Sequence, residues 1–290
     1  PTLPFPGYAE IPLVLWPWRV GRMLDEARPD AIHIATEGPL GWAARQHCLR
    51  RRLPFTTAYH TKFPEYVTAR TRLPVAAGYA VLRRFHAPAG AVLCPSPSVL
   101  AELRARGFAN AAPWSHGVDT AVFRPRGKDL FDLPRPVFGY VGRVAVEKNL
   151  PAFLALDLPG SKLVVGDGPA RPGLAARFPD AHFRVVDGDD ALSRAFSAID
   201  VFVFPSRTDT FGLVMLEALA SGVPVAAFPV TGPRDVVGDA PVGVLSEDLR
   251  AAALAARALS PDACRAHAAR FSWDRVAEEF LAHLRPLPGR

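Results

Sequence analysis

Short runs of β-branched and apolar residues alternate along the chain with segments whose apolar positions recur every three or four residues. That alternation is the pattern of parallel strands covered on both faces by helices, so the fold class is read as α/β. In the first half, residues 31–35, 55–59 and 91–94 read as strands, while 40–51 and 98–106 read as helices, the second stopped by Gly107. Pro125 and the Pro134-Arg135-Pro136 group interrupt both periodicities, with Gly127, Lys128 and Asp129 between them. The expected organisation is therefore a domain over 1–125, a linker over 126–135 and a second domain over 136–271.

The second domain restarts with five strand-like runs, 137–141, 163–165, 182–186, 201–204 and 224–228, each followed by a helical pattern. Five such units suffice for a doubly wound sheet. Residues 272–290 follow, in which Val276, Phe280 and Leu284 form an i, i+4, i+8 stripe suited to a closing helix. The first domain opens in a proline-rich loop, Pro1-Thr2-Leu3-Pro4-Phe5-Pro6, with no strand before it and no initiator Met. It is expected to be incomplete at its N-terminus.

Composition narrows the class. The 290 residues are 49% hydrophobic and 21% charged, as in a globular protein with one large core or two ordinary ones. No apolar run reaches the roughly 18 residues needed to span a bilayer, and the opening residues lack the regions of a signal peptide. Cys48, Cys94 and Cys264 are odd in number and scattered, which fits neither a disulfide framework nor a metal cluster and points to a cytoplasmic setting. The net charge of +6 sits in the first half, where residues 1–125 hold 15 Lys and Arg against 8 Asp and Glu. A basic half fits an anionic surface or substrate, or helices backed by solvated arginines. Nothing resembles a nucleic-acid recognition module.

The densest chemistry lies between Pro205 and Val225, which runs strand, loop, helix, glycine stop and strand. In an open parallel sheet the loop 206–212 falls at the carboxyl ends of the strands, where ligands bind. A helix expected to begin near Phe211 would point its free N–H groups and positive dipole end at a diphosphate. Asp209 precedes that helix and Glu217 lies eight residues on, about two turns away, so two carboxylates are spaced along an extended ligand. Glu217 sits among Leu213, Val214, Leu216 and Leu219, and a buried carboxylate needs partners.

The segment from Asp209 to Glu217, with Phe211-Gly212-Leu213 and Glu217-Ala218-Leu219-Ala220, resembles the E-x7-E signature of glycosyltransferase family 4. Val141-Gly142-Arg143-Val144-Ala145-Val146-Glu147-Lys148-Asn149-Leu150 similarly resembles that family's strand-to-loop segment, whose Arg and Lys bind the donor diphosphate, and Val165-Gly166-Asp167-Gly168-Pro169 its second glycine-rich turn. Tyr59-His60-Thr61-Lys62-Phe63-Pro64-Glu65-Tyr66 resembles the acceptor-side segment of its mannosyltransferases and glycolipid synthases, and Ser115-His116-Gly117-Val118-Asp119 the segment leading to the domain crossover.

The resemblance implies a GT-B fold, two Rossmann-like domains facing a cleft, and a retaining transferase that moves a hexose from a nucleotide diphosphate sugar. It assigns Arg143 and Lys148 to the leaving diphosphate, Glu217 to the ribose, Asp209 to sugar hydroxyls and His60 to the sugar and acceptor. Gly142, Gly166, Gly168, Thr210, Phe211, Gly212 and Leu213 would line the donor, and Gly117 and Asp119 would shape the cleft. No metal and no separate cofactor are expected. The donor is GDP-mannose, with mannose favoured, or a UDP-hexose as in diacylglycerol glycosyltransferases, and the acceptor is a lipid or glycan.

Three features depart from the family pattern: Asp209 in place of Glu, Val185 where Gly is usual, and no N-terminal glycine-rich donor loop. They keep a non-catalytic sugar-nucleotide binding module open beside a nucleotide-sugar epimerase of related architecture. Between Tyr66 and Pro88, apolar Val67, Leu73, Val75, Tyr79, Val81, Leu82 and Phe85 alternate with Arg70, Arg72, Arg83 and Arg84. That mixture suits either an anionic membrane surface or a buried helix with an arginine-coated back.

Overall fold

The computed structural model describes residues 2–5, 8–14, 16–71 and 73–288. The chain divides into two compact units, Pro1–Trp114 with Glu278–Arg290, and Ser115–Ala277.

The first unit holds a four-stranded parallel sheet in the order β3-β4-β5-β6, built from β3 (His33–Ile34), β4 (Thr56–Ala58), β5 (Val92–Cys94) and β6 (Ala111–Pro113). Its opening is not a loop: β1 (Thr2–Phe5) and β2 (Tyr8–Val14) pair antiparallel. Pro4 faces Pro12 in that register, and at a non-hydrogen-bonded pair neither residue is asked for an N–H. The strand expected over 31–35 shrinks to His33–Ile34, with Ala31 in a separate bridge to Pro286. Helix Pro97–Ala105 starts as its sequence dictates, with the Ser96 hydroxyl accepting from Val99 N–H and Pro97 in the first turn. It ends at Gly107, whose φ of +84° an L side chain would strain.

Helix Val75–His86 decides part of the 66–88 question. Tyr79, Leu82, Phe85 and His86 are buried, whereas Arg83 and Arg84 face solvent. The apolar stripe is therefore core, leaving Leu73 and Val81 exposed. Arg72 lies outside the described residues, as do the side chains of Tyr66 and Arg70. No helix of the described residues is long and apolar enough to cross a membrane.

The second unit holds six parallel strands, β7 (Val137–Val141), β8 (Ser161–Val165), β9 (His182–Arg184), β10 (Val201–Phe204), β11 (Val225–Ala227) and β12 (Gly243–Leu245), ordered β12-β11-β10-β7-β8-β9. All residues of β7 and β10 are buried, as in a sheet covered on both faces. Their side chains still alternate: Val137, Val141, Phe202 and Phe204 join one core with Met215 and Leu219, while Phe138, Tyr140, Val201 and Val203 join the other with Phe153 and Ala252. The sixth strand, β12, was not among the five expected, because it is short, half-buried and begins at a glycine. Strand β9 stops at Arg184, leaving Val185 exposed.

The division between units falls at Trp114–Ser115, ahead of the expected linker. Residues in the 115–135 stretch are bonded into the second unit: Val118 N–H donates to Phe271 O at 3.0 Å, and Arg126 N–H to Ser197 Oγ at 2.9 Å. Asp119 caps a turn there, its Oδ1 accepting from Ala121 and Val122 N–H. The closing helix, Trp273–His283, is shared between the units, and the tail beyond it returns to the first, where Leu287 N–H donates to Asp30 O at 2.8 Å.

Candidate active site

In the second unit β7 is flanked by β8 on one side and β10 on the other. The chain leaves β7 towards β8 and β9, then crosses back to β10, so the topological switch lies between β7 and β10. In open parallel sheets ligands bind at the carboxyl ends of the strands beside such a point. The two loops concerned are 142–149 and 205–212.

Three side-chain contacts staple these loops together. Lys148 Nζ lies 2.5 Å from Asp209 Oδ1, with side chains 22% and 15% exposed. Asn149 Nδ2 donates to Pro205 O at 3.1 Å, and Ser206 Oγ to Glu147 O at 3.4 Å. Asn149 holds a left-handed φ of 53° after the 3-10 turn Val146–Lys148, which ends that turn and aims its amide at the neighbouring loop. Asp209 Oδ2 is buried and has no hydrogen-bond partner, and the same is true of Thr208 Oγ1. An unsatisfied buried acceptor costs about 1–3 kcal/mol, so this oxygen is poised to take a donor from a ligand. Arg143 lies half-buried on the loop after β7, its carbonyl accepting from the Tyr140 hydroxyl at 3.0 Å.

The glycines serve the loops before they serve any ligand. Gly142, Gly166 and Gly168 have φ of 143°, 141° and 152°. A Cβ on Gly166 would overlap the carbonyl oxygen of Gly142, and one on Gly168 that of Val144. Val144 N–H donates to Asp167 O at 2.8 Å across the same seam. The Gly166-Asp167-Gly168 turn is thus required for packing against the loop after β7.

The helix after β10 starts at Leu213 rather than near Phe211, with Gly212 ahead of it at φ 86°. Asp209 and Glu217 are therefore separated by a non-helical stretch and one helical turn. Phe211 is 3% exposed and edge-on to His116 at 5.1 Å, so its ring is core and only its backbone can meet a ligand. Thr210 is half-buried and Leu213 is 40% exposed. Gly232 backs the loop: a Cβ there would lie 2.9 Å from Phe211 O and 3.2 Å from Asp209 O. Asn149, Ser206 and Gly232 were not singled out from sequence. Only Gly232-Pro233 carries a local signal, that of a turn.

Glu217 is half-buried, and burial, with the charge of Asp189 as a smaller cause, pushes its carboxyl pKa up to about 7. Two glycine-bearing loops, a paired cation and a carboxyl of raised pKa thus occur on adjacent elements. Among the described residues no three His, Cys, Asp or Glu side chains gather as a metal site requires.

His60 belongs to the first unit and follows β4, with its ring edge-on to Trp114 at 5.7 Å. Burial lowers its pKa below the ordinary value, outweighing the opposing charge of Glu37, so the ring is neutral at pH 7. His33, at β3, is edge-on to Phe280 at 4.9 Å and is pushed down to about 4 by burial and by His60. Lys62 and Glu65 of the same segment are framework: Lys62 Nζ pairs with Glu102 at 2.9 Å, and Glu65 accepts from the Tyr79 hydroxyl at 2.8 Å.

Comparison with known proteins agrees across both units. Residues 1–122 match the profile of Glycosyltransferase Family 4, and residues 135–260 that of Glycosyl transferases group 1. A GDP-mannose-dependent alpha-mannosyltransferase of Mycobacterium tuberculosis is 30% identical over 308 residues, covering 100% of this chain and 82% of the relative. A sulfoquinovosyl transferase of Arabidopsis thaliana is 32% identical over 81% of this chain and 50% of its own length. Among solved structures, sucrose-phosphate synthase from Thermosynechococcus elongatus superposes with a TM-score of 0.75 at 24% identity, over 90% of this chain and 74% of the other. Anabaena HepE in complex with UDP and glucose gives 0.72 at 16% identity, over 91% and 80%.

Proposed function

The chain belongs to glycosyltransferase family 4, with the GT-B fold, and on that premise we propose that it transfers mannose from GDP-mannose to a lipid or glycan acceptor with retention of anomeric configuration. The observation that carries the donor half of this reading is the stapled pair of loops at the β7/β10 switch point, where Lys148 and the orphaned Asp209 Oδ2 stand side by side. Support for mannose comes from relatives named as GDP-mannose-dependent that match the full length of this chain.

In the reaction the acceptor hydroxyl oxygen bonds to the anomeric carbon on the face that the diphosphate leaves. The carbon–phosphate-oxygen bond breaks with its electron pair going to the diphosphate, and the acceptor's proton passes to that departing oxygen. Arg143 and Lys148 offset the negative charge that develops there, and fixed cations act most strongly where charge appears in the transition state. Asp209 Oδ2 accepts from a sugar hydroxyl, Glu217 from the ribose hydroxyls, and neutral His60 hydrogen-bonds the sugar or acceptor. Lys148 is held by Asp209 beforehand, so the diphosphate enters a site whose cation is already positioned. No metal or further cofactor has a role in this scheme.

The acceptor-bearing surface is proposed to be an anionic membrane, approached by exposed Leu73 and Val81 beside Arg83 and Arg84. Binding to vesicles containing anionic lipid should weaken as salt rises; salt-insensitive binding, or none, contradicts this part. The transfer itself is tested by incubating GDP-mannose or UDP-glucose with membrane lipid and resolving the products. A mannosylated lipid or glycan with an α-linkage supports the reading. Transfer only from the UDP-sugar would instead make it a UDP-dependent lipid glycosyltransferase. Conversion of the donor without acceptor would indicate an epimerase, and binding without turnover a sugar-nucleotide binding module.

A further inference from the structure

A cleft lined by both charged and apolar residues lies at the other edge of the six-stranded sheet, where β7, β10 and β11 begin. Its volume is about 570 Å3, in the range of small-molecule sites. Four cationic side chains line it, Arg126, Lys128, Arg135 and Arg257, against one carboxylate, Asp200. Asp200 is fixed to the start of β7, its Oδ2 accepting Val137 N–H at 2.7 Å. Its Oδ1 takes both Lys128 Nζ, at 2.6 Å, and the Arg135 guanidinium. One carboxylate thus orders two cations while neutralising only one.

The donors around the cleft are only partly satisfied, and Arg135 also donates through Nη1 to Ala198 O at 3.4 Å. Arg126 reaches Asp190 at 3.1 Å through Nη2, but its buried Nε has no partner. Arg257 is exposed and forms no ion pair with a described residue. Ser221 is 4% exposed, and its buried hydroxyl is unpartnered. Pro125 and Leu259 supply apolar wall. Several unsatisfied donors and surplus positive charge around an open volume call for a ligand that is rich in acceptor oxygens and negative, which describes phosphate better than a carboxylate with two oxygens.

We propose that this cleft binds a soluble phosphate-bearing small molecule, whose phosphate accepts from Arg126, Arg135, Arg257 and Ser221. The site is separate from the loops after β7 and β10, which lie a strand length away at the carboxyl edge, about 17 Å for five residues. It does not depend on the mannosyl reading.

The test is calorimetric titration of inorganic pyrophosphate, at low ionic strength, into the wild-type chain and its Lys148→Ala and Arg257→Glu variants. Lys148→Ala removes a cation of the carboxyl-edge loops, whereas Arg257→Glu reverses an exposed charge in the cleft and leaves the core untouched. The expected result is a binding event that Lys148→Ala retains and Arg257→Glu weakens about tenfold or more. Arg257→Gln should give a smaller loss in the same direction. Absence of binding in Lys148→Ala, or binding that Arg257→Glu leaves unchanged, overturns the proposal.

Discussion

Lys148 Nζ and Asp209 Oδ1 stand 2.5 Å apart on loops that follow β7 and β10, bridging the point where the sheet's winding reverses. One residue was expected at the diphosphate and the other at the sugar, 61 residues apart in sequence. Their pairing means that each sets the other's position, so neither can be altered in isolation.

Lys148→Ala should therefore do two things. Transfer should fall by about 10²-fold or more, as expected when a charge facing a developing anion is removed. Stability should also fall by about 1–3 kcal/mol, because a mostly buried Asp209 is left unpaired. The double variant Lys148→Ala/Asp209→Asn should regain most of that stability without regaining activity. Denaturant unfolding and initial rates on the wild type and the two variants check this, and a double variant less stable than the single one contradicts it.

Arg143→Ala should lower transfer by about 10²-fold while changing the unfolding midpoint far less. Parallel losses of rate and thermal stability would assign Arg143 to the framework instead.

Glu217 is expected to make both stability and nucleotide binding depend on pH. Its folded-state pKa of about 7 stands above the ordinary 4.5, so between those values the folded chain binds more protons than the unfolded one. Stability should then decline as pH rises from about 4.5 to 7, by on the order of 3 kcal/mol. Glu217→Gln should flatten that slope. If the ionised form accepts from ribose, nucleotide affinity in the wild type should rise with pH through about 7, and titrations at pH 6 and 8 would reveal an absent or reversed trend.

Gly166→Ala and Gly168→Ala should each cost about 2 kcal/mol or more, since each Cβ would meet a neighbouring carbonyl at a φ unfavourable to L residues. Equilibrium unfolding decides it. A variant that unfolds like wild type but loses nucleotide affinity would show that the glycine serves the ligand alone.

Much of this was legible in sequence because the second unit is built from elements that announce themselves. Val137–Val141 and Val201–Phe204 are apolar throughout because both faces of their sheet are covered. Gly243–Leu245 escaped notice as a half-buried edge strand, and β1 and β2 were hidden by prolines that their pairing tolerates. The chemical residues were legible as types in motifs, but their partners were not. Nothing local to Asn149 or Ser206 indicates that each reaches across the switch point, because a loop-to-loop bond depends on tertiary placement. Phe211 and Asp119 illustrate the converse, with motif positions used for core packing and turn capping.

The most direct measurement is calorimetric titration of GDP, UDP and ADP into the wild-type chain and into Lys148→Ala. The account predicts a site with a clear preference for GDP, weakened about tenfold or more when Lys148 is removed. Binding of none of the three, or GDP binding of equal strength in both proteins, would contradict the assignment of the β7/β10 loops to a nucleotide-sugar donor.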